Sequence, residues 1–194
     1  LLKVLALGHT DRLDEATTLI QEILAKAVPG SEDARAAKQL FGLLRMAEGE
    51  WDDAATAFKE IYLADPETDS ASLRLSSEAY LKKARAKLQD GAQDEAIAAI
   101  DQAIAVYKGQ TGKEALQQRN ALRLLRARLL TQIGRFELAI ADLQNFTIQQ
   151  PQNFEALITL ASLYASVGNW ESLEAVIKPI AKRPELRDVV LYFE

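Results

Sequence analysis

The stretch GEWDDAATAFKEIYLADP, residues 49–66, has a counterpart with the same spacing further along the chain, GRFELAIADLQNFTIQQP, residues 134–151. In both, an aromatic residue stands two places after the Gly and an Ala stands five places after it. Large apolar residues follow at nine and twelve places, and a Pro at seventeen. Shared spacing of this kind predicts that one structural unit occurs more than once in the chain.

The Gly of this pattern gives a common reference point for the whole sequence. Equivalent positions are Gly49, Gly91, Gly134 and Gly168, with Asp11 in the same role before them, and the gaps are 38, 42, 43 and 34 residues. Repeats of this length are typical of stacked helix pairs. The predicted array comprises units at about 1–30, 31–68, 69–110, 111–152 and 153–185, followed by the start of a further helix at 185–194.

Each position of the pattern has a physical reason. Gly permits a tight turn between antiparallel helices, and the Ala five places later lets the helices approach closely. Small residues also stand seven places before the reference glycines, and large apolar residues three or four apart form the buried stripe of a helix. Pro66 and Pro151 end the second helix of their units, because Pro cannot donate to the helix ladder. We therefore predict closely packed helix pairs.

The coarse reading assigns two helices to each complete unit. First helices are predicted at about 1–9, 32–47, 70–89, 113–133 and 153–166. Second helices are predicted at about 12–28, 51–64, 92–108, 136–149 and 170–182. With 48% apolar residues, few Gly and Pro and no clustered β-branched runs, the 194-residue chain is expected to contain no strand.

The residues needed for most catalytic and metal sites are missing. The sequence has no Cys, so thiolate sites are excluded, and its single His, His9, cannot form a cluster of histidine metal ligands. We interpret His9 as a surface or turn residue. The stretch KGQTGKE (108–114) has two residues between its glycines, where a phosphate-binding loop needs four. Acidic pairs such as Asp52 and Asp53 suit helix N-termini. We therefore predict no enzyme activity, no cofactor and no metal.

Charge is distributed unevenly along the chain. Residues 74–135 contain 12 Lys/Arg and 6 Asp/Glu (net +6), and the remainder contains 11 and 22 (net −11), which gives −5 in all. A basic centre can steer an acidic ligand, although a solvated helix face is the simpler explanation. The basic stretches LKKARAKL (81–88) and LRLLRARLL (122–130) lack interleaved aromatic residues, so nucleic acid is not the expected partner.

No apolar run reaches the ~20 residues of a membrane span, and the start LLKVLALGHT lacks a basic leader. We expect a cytoplasmic protein, with the periplasm as the alternative. Because the sequence does not begin with Met, we also expect a processed or excised piece.

At this point the chain resembles the tetratricopeptide repeat family. The best local matches are QLFGLLRMAEGEWDDAATAFKEIYLADP (39–66) and LITLASLYASVGNWESLEAVIKPI (157–180). The resemblance covers nearly the whole chain and implies an all-α, right-handed superhelical solenoid of about five antiparallel helix pairs. Two departures stand out. Some repeats exceed the family's 34 residues. Cations occupy positions that are apolar in the family, namely Arg45, Lys83, Lys87, Arg123 and Arg126.

In this family the first helices line a concave groove that receives a peptide or a partner helix. Carried over position by position, the resemblance implies the groove residues Gln39, Leu43, Met46, Arg85, Gln89, Arg128, Gln132 and Ser162. No Asn occurs at these places, so the family's carboxylate clamp is not expected. The alternative is that each of these residues packs between repeats.

The resulting prediction is a non-enzymatic scaffold for a protein or peptide partner. If Arg85 and Arg128 face one channel, that partner is acidic. Alternatives are a regulatory or sensor segment of a larger protein and a secretion or envelope assembly factor. The end repeats, with apolar Leu2, Val4 and the stretch VVLYF (189–193), predict self-association through uncovered ends.

Overall fold

The computed structural model describes residues 1–9, 12–66 and 69–181, and in these ranges the chain forms ten α-helices and no strand. The helices are α1 (Leu2–His9), α2 (Leu13–Lys26), α3 (Glu32–Glu48), α4 (Trp51–Ala64), α5 (Ser70–Gln89), α6 (Gln93–Val106), α7 (Lys113–Gln132), α8 (Phe136–Gln149), α9 (Phe154–Ser166) and α10 (Trp170–Ala181). The all-α prediction is confirmed.

The predicted helix positions agree closely with the observed ones. α4, α5 and α8 begin and end where the sequence predicts, and the other helices differ by one or two residues at an end. The reference residue Asp11 and the predicted helix at 185–194 lie outside the described residues. Local sequence signals therefore determine where these helices begin and end.

The chain forms two compact units, Leu1–Gly109 with helices α1–α6 and Gln110–Glu194 with helices α7–α10. They are described separately below. The predicted division into five repeats stays a prediction.

The turns inside the helix pairs follow one geometry. The reference glycines have positive φ, from +70° at Gly168 to +84° at Gly49, a conformation that side chains disfavour. After Gly49, the N–H of Glu50 donates to the carbonyl of Arg45, five residues earlier, at 2.9 Å. The same bond joins Asn169 to Tyr164. This Schellman closure satisfies helix-end carbonyls and reverses the chain.

Ion pairs show that the helices of a pair run antiparallel. Lys38, early in α3, contacts Glu60, late in α4, while Arg45, late in α3, contacts Asp53, early in α4. α4 and α5 are also antiparallel, because Ser76 donates to the carbonyl of Ala55 and Lys83 pairs with Asp52. In the second unit, α7 and α8 are joined in the same sense by Arg126–Asp142 and Arg123–Gln149.

Small residues lie at the helix crossings, as the sequence pattern predicts. The Ala positions of the second helices are fully buried, and so are most of the small positions of the first helices. They are Ala16, Ala54, Ala96 and Ala139, and Gly42, Ala84, Ala127 and Ala161. Most of the predicted apolar stripe is core: Phe58, Ile61, Ile100, Leu143, Phe146 and Ile180 are buried, and Ile177 is partly buried. Helix pairs therefore pack with close backbones and a continuous apolar seam.

The N-terminal apolar residues differ from the expectation that they are uncovered. Leu2 is exposed, but Val4 is buried in a cluster with Leu7, Ala16 and Ile20, so the expectation for Val4 is wrong. The reason is that α1 packs on α2 and α3 through the side that carries Val4. Residues 189–193 lie outside the described residues, and self-association stays a prediction.

Asp69 joins two repeats in the first unit. Its carboxylate accepts hydrogen bonds from the backbone N and the hydroxyl of Ser72, which caps α5, and from Arg35 of α3 at 2.6 Å. Burial alone raises the pKa of Asp69, but the bonds from Ser72 and Arg35 outweigh it, and the net pKa is lowered. The ionised side chain therefore stabilises the folded state.

The Gly42 contact predicts the cost of overpacking. A Cβ at Gly42 would lie 2.8 Å from Cζ of the fully buried Phe58 ring. We expect Gly42→Leu to lower the free energy of unfolding by about 1–3 kcal/mol, and Gly42→Ala by less because Ala favours the helix. Urea unfolding followed by circular dichroism measures both.

Gly8→Ala is the matched control for this prediction. Its Cβ would make only an ordinary contact, 3.5 Å from Leu44 Cδ2, so stability should hold or rise slightly. Equal stability of Gly42→Leu and wild type would contradict the packing described for α3 and α4.

The Asp69 contacts predict a pH-dependent loss of stability. Asp69→Ala removes a helix cap and should lower the free energy of unfolding by about 1–2 kcal/mol at pH 7. Because the pKa of Asp69 is lowered on folding, its contribution is present above the unfolded value of about 3.9 and disappears as the pH falls through the folded pKa. The free energies of unfolding of Asp69→Ala and wild type, measured by urea unfolding, should therefore converge at low pH.

Asp33→Ala, an exposed first-turn carboxylate of α3, provides the comparison and should change stability by only about 0.5 kcal/mol. A gap between Asp69→Ala and wild type that persists unchanged at low pH would show that the carboxylate charge is not the stabilising element.

Candidate functional site

The outward sides of the first helices α3 and α5 form one surface of the first unit. Both helices are antiparallel to α4 and thus parallel to each other, and the Arg35–Asp69 bond aligns their N-terminal ends. At about 1.5 Å of rise per residue, Leu43 is level with Glu78, and Ala47 with Lys82. The exposed residues are Gln39, Leu43 and Ala47 on α3 and Glu78, Lys82, Arg85 and Gln89 on α5. We call this surface the α3–α5 face.

The cations of α5 fall into two groups. Lys83 pairs with Asp52 at 2.8 Å, and Lys87 pairs with Glu95 at 2.7 Å, so both reach toward second helices. The hydrogen bond to Glu95 raises the pKa of Lys87. Among the described residues, Lys82 and Arg85 have no carboxylate partner. The α3–α5 face therefore presents two cations without an ion-pair partner, together with the carboxylate of Glu78 and with Leu43, which is 44% exposed.

The structure places the predicted residues of the first unit in two environments. Gln39, Leu43, Arg85 and Gln89 lie on the α3–α5 face. Met46 does not: it is 7% exposed and packs in a cluster with Ala54 and Phe58. Met46 is thus a packing residue, because a step of three residues from Leu43 offsets its side chain by about 60° around the helix, toward the buried side. The surface described here excludes it.

The predicted residues of the second unit lie on the outward sides of α7 and α9. Arg128 and Gln132 of α7 are exposed beside Leu125, and Ser162 of α9 is exposed with its hydroxyl donating to the carbonyl of Ile158. Arg128 forms an ion pair with Glu155, in the first turn of α9. The positive charge of Arg128 is therefore already compensated. That Arg85 and Arg128 face one channel stays a prediction, since they belong to different compact units.

Sequence reasoning missed Lys82, the residue that gives the α3–α5 face half of its positive charge. Lys82 is not among the predicted groove residues, yet it is exposed, whereas its neighbour Leu81 is half-buried. The buried side of α5 contains Ser72, Ser76 and Ser77, and Ser76 donates to the carbonyl of Ala55 at 2.9 Å. Buried serines weaken the apolar stripe that would have fixed the register.

A cleft of about 600 Å³ in the first unit is a second concave feature. It lies between the ends of α2 and α4 and the start of α3, with Leu24, Ile61 and Ala64 in its apolar lining. Its cations are compensated, since Lys38 pairs with Glu60 and Arg35 with Asp69. It offers no uncompensated charge, so the α3–α5 face is the better candidate.

Two further classes of site can be assessed in the part of the chain that the structure describes. No group of three or more His, Cys, Asp or Glu side chains there could hold a metal ion. No helix there is both long and apolar enough to cross a membrane.

The comparisons with known proteins agree with this architecture. Residues 40–111, from the middle of α3 to the loop before α7, match the family model of the tetratricopeptide repeat. The matched part comprises 72 of the 194 residues. This family suggests a protein–protein interaction scaffold, and its fold is generally non-catalytic.

Several solved structures are similar to the chain at low identity. The MamA protein is 17% identical with a TM-score of 0.45, and the match covers 94% of this chain and 95% of MamA. A thermophilic TPR protein from Thermus thermophilus is 20% identical, with a TM-score of 0.42 and coverage of 100% and 94%. A Podosopora anserina protein with nearly identical TPR-like repeats is 17% identical, with a TM-score of 0.46 and coverage of 96% and 90%. No curated protein matches the chain.

The Arg128–Glu155 pair gives a prediction about the second unit. Both side chains are at least half exposed, so a double-mutant cycle with Arg128→Gln and Glu155→Gln should yield a coupling energy of about 0.2–1 kcal/mol. The coupling should fall between 50 mM and 500 mM NaCl because salt screens exposed charges. A coupling of zero at low salt would mean that Arg128 is free for a ligand.

Proposed function

We propose that this protein is a binding scaffold whose α3–α5 face takes a peptide segment of a partner protein with acidic and apolar side chains. The observation that supports this most directly is that two cations without an ion-pair partner, Lys82 and Arg85, lie on the same face as the exposed Leu43. Partner carboxylates would pair with the cations, while apolar side chains would cover Leu43 and Ala47.

Ion pairs and apolar contacts are expected to contribute unequally to the binding free energy. An exposed ion pair contributes about 0.2–1 kcal/mol, whereas burying a Leu-sized side chain contributes about 1.5–3 kcal/mol. Apolar contacts would therefore supply most of the affinity, and charge would supply selectivity and a faster association. An extended segment or a helix could make both the apolar contacts and the ion pairs. The proposal specifies the side chains of the partner segment and not its conformation.

The experiment is a selection from a random twelve-residue peptide library with the full chain as bait, followed by affinity measurement with one selected peptide. The selected peptides should be enriched in Asp or Glu together with Leu, Ile or Phe. Lys82→Glu with Arg85→Glu should weaken binding about three- to tenfold, and Leu43→Asp should weaken it more. Binding to wild type should weaken modestly, without disappearing, in 500 mM NaCl.

The matched control is Arg12→Glu with Lys59→Glu, the same charge change at exposed positions away from the α3–α5 face. It should leave affinity within about twofold, and thermal melts should show that every variant is folded. If the control weakens binding as much as the Lys82/Arg85 variant, the effect is one of net charge. If neither double variant nor Leu43→Asp changes affinity, the peptide binds elsewhere and the proposal fails.

A further inference from the structure

Three arginines lie along one side of α7 in the second unit. Arg119, Arg123 and Arg126 are spaced by four and three residues, which places them on the same side of a helix. This side faces α8, since Arg126 and Arg123 contact Asp142 and Gln149. It is the side opposite Leu125, Arg128 and Gln132. We call the three residues the arginine ladder.

The arginine ladder has more positive charge than its surroundings compensate. Arg126 donates from Nε to Asp142 at 2.7 Å. Arg123 has only a long contact of 3.5 Å with the neutral amide oxygen of Gln149. Arg119 has a buried Nε with no hydrogen-bond partner among the described residues. Arg126 is thus paired, whereas Arg119 and Arg123 have no ion-pair partner in the described part of the chain.

This arrangement is costly for the protein by itself. Burial lowers the pKa of Arg123, and repulsion from Arg119 and Arg126 lowers it further against the attraction of Asp142. Half-buried cations are normally paired, because burial without a partner forfeits hydration. The charge balance and the unpartnered Nε indicate that Arg119 and Arg123 lack an anionic acceptor among the described residues.

We propose that the arginine ladder binds one or two Asp or Glu side chains of a protein ligand, with Arg119 and Arg123 as the donors. Guanidinium groups recognise carboxylates through paired N–H donors in a planar fork, so two arginines can hold two carboxylates in defined positions. This site is separate from the α3–α5 face and does not depend on it.

The spacing of the ladder suits an extended acidic segment. Arg119 and Arg123 are four residues apart, about 6 Å along the helix axis. Alternate side chains of an extended peptide are about 6.6–6.8 Å apart and point the same way. A Glu-x-Glu segment can therefore place one carboxylate against each arginine.

The charge of the second unit argues against a nucleic acid at this site. Residues 110–194 contain 10 Lys/Arg and 9 Asp/Glu, a net of +1. Nucleic-acid binding relies on many phosphate contacts from a strongly basic surface. Two uncompensated arginines are enough for side-chain carboxylates and too few for a nucleic-acid backbone.

The test uses the full chain and a peptide Glu-Ala-Glu-Ala-Glu that is capped at both ends, with a Gln-Ala-Gln-Ala-Gln peptide as the neutral probe. Calorimetry measures affinity, and NMR follows the Nε–Hε signals of the arginines. The acidic peptide should shift the signals of Arg119 and Arg123, and Arg119→Gln or Arg123→Gln should weaken binding about threefold or more. Arg135→Gln, the same charge change at the start of α8, should leave affinity nearly unchanged.

Thermal melts distinguish a ligand-binding role of Arg123 from a structural role. Arg123→Gln removes an uncompensated, partly buried charge, so its melting temperature should equal or exceed that of wild type while acidic-peptide binding falls. A stable variant with weaker binding supports a ligand role for Arg123, because a structural role would give the opposite change in stability.

Four results would overturn the proposal. They are equal binding of the neutral peptide, equal weakening by Arg135→Gln, unchanged affinity of the Arg119 and Arg123 variants, and inorganic phosphate that competes at lower concentration than the acidic peptide. The third result combined with loss of binding in Lys82→Glu/Arg85→Glu would assign the peptide to the α3–α5 face. In that case the arginine ladder fails and the proposed function stands.

Discussion

The close approach of the two helices in each pair is the constraint on which the rest of the structure depends. At Gly42 the α3 backbone comes so near to the Phe58 ring that a Cβ would lie 2.8 Å from it, and Ala54 and Ala139 are fully buried at equivalent crossings. Such contacts fix the rotation of a first helix about its axis. That rotation decides which side chains face the second helix and which face outward.

Charge follows from this geometry. Long basic side chains at the margins of a crossing reach the partner helix, as Arg45 reaches Asp53 and Arg126 reaches Asp142. These positions are apolar in the tetratricopeptide repeat family. In this chain the guanidinium groups of Arg45 and Arg126 pair with carboxylates, so their aliphatic stems can still pack over the helix crossing. Burial lowers the pKa of Arg45, yet hydrogen bonds to Asp53 and Glu48 outweigh it and the net pKa is raised. Lys82, Arg85, Arg119 and Arg123 lack such carboxylates in the described part of the chain, and these exceptions define both proposed binding sites.

The two proposed sites differ in how far their cations are exposed to water. The α3–α5 face is open, so Lys82 and Arg85 remain hydrated and cost little when no ligand is bound. Arg123 in the arginine ladder is partly buried, and burial and the neighbouring Arg119 lower its pKa, which disfavours its charged form when no ligand is bound. An unpaired cation that costs stability is a more specific indication of a ligand than one that is merely exposed.

The sequence by itself determined the helices, their ends and their crossings, because these depend on local chemistry. Each of these signals acts within a few residues of its own position. A Gly tolerates positive φ, an Ala or Gly leaves room for the facing helix, and a Pro cannot donate a backbone hydrogen bond. The binding surface was only partly predictable. Gln39, Leu43, Arg85 and Gln89 are exposed on the α3–α5 face, but Met46 is core and Lys82 was missed, since the three buried serines of α5 obscure its apolar stripe. Only the tertiary structure decided which cations are compensated. The partner of Lys83 is Asp52, 31 residues away, and pairing across such a distance depends on how the helices pack.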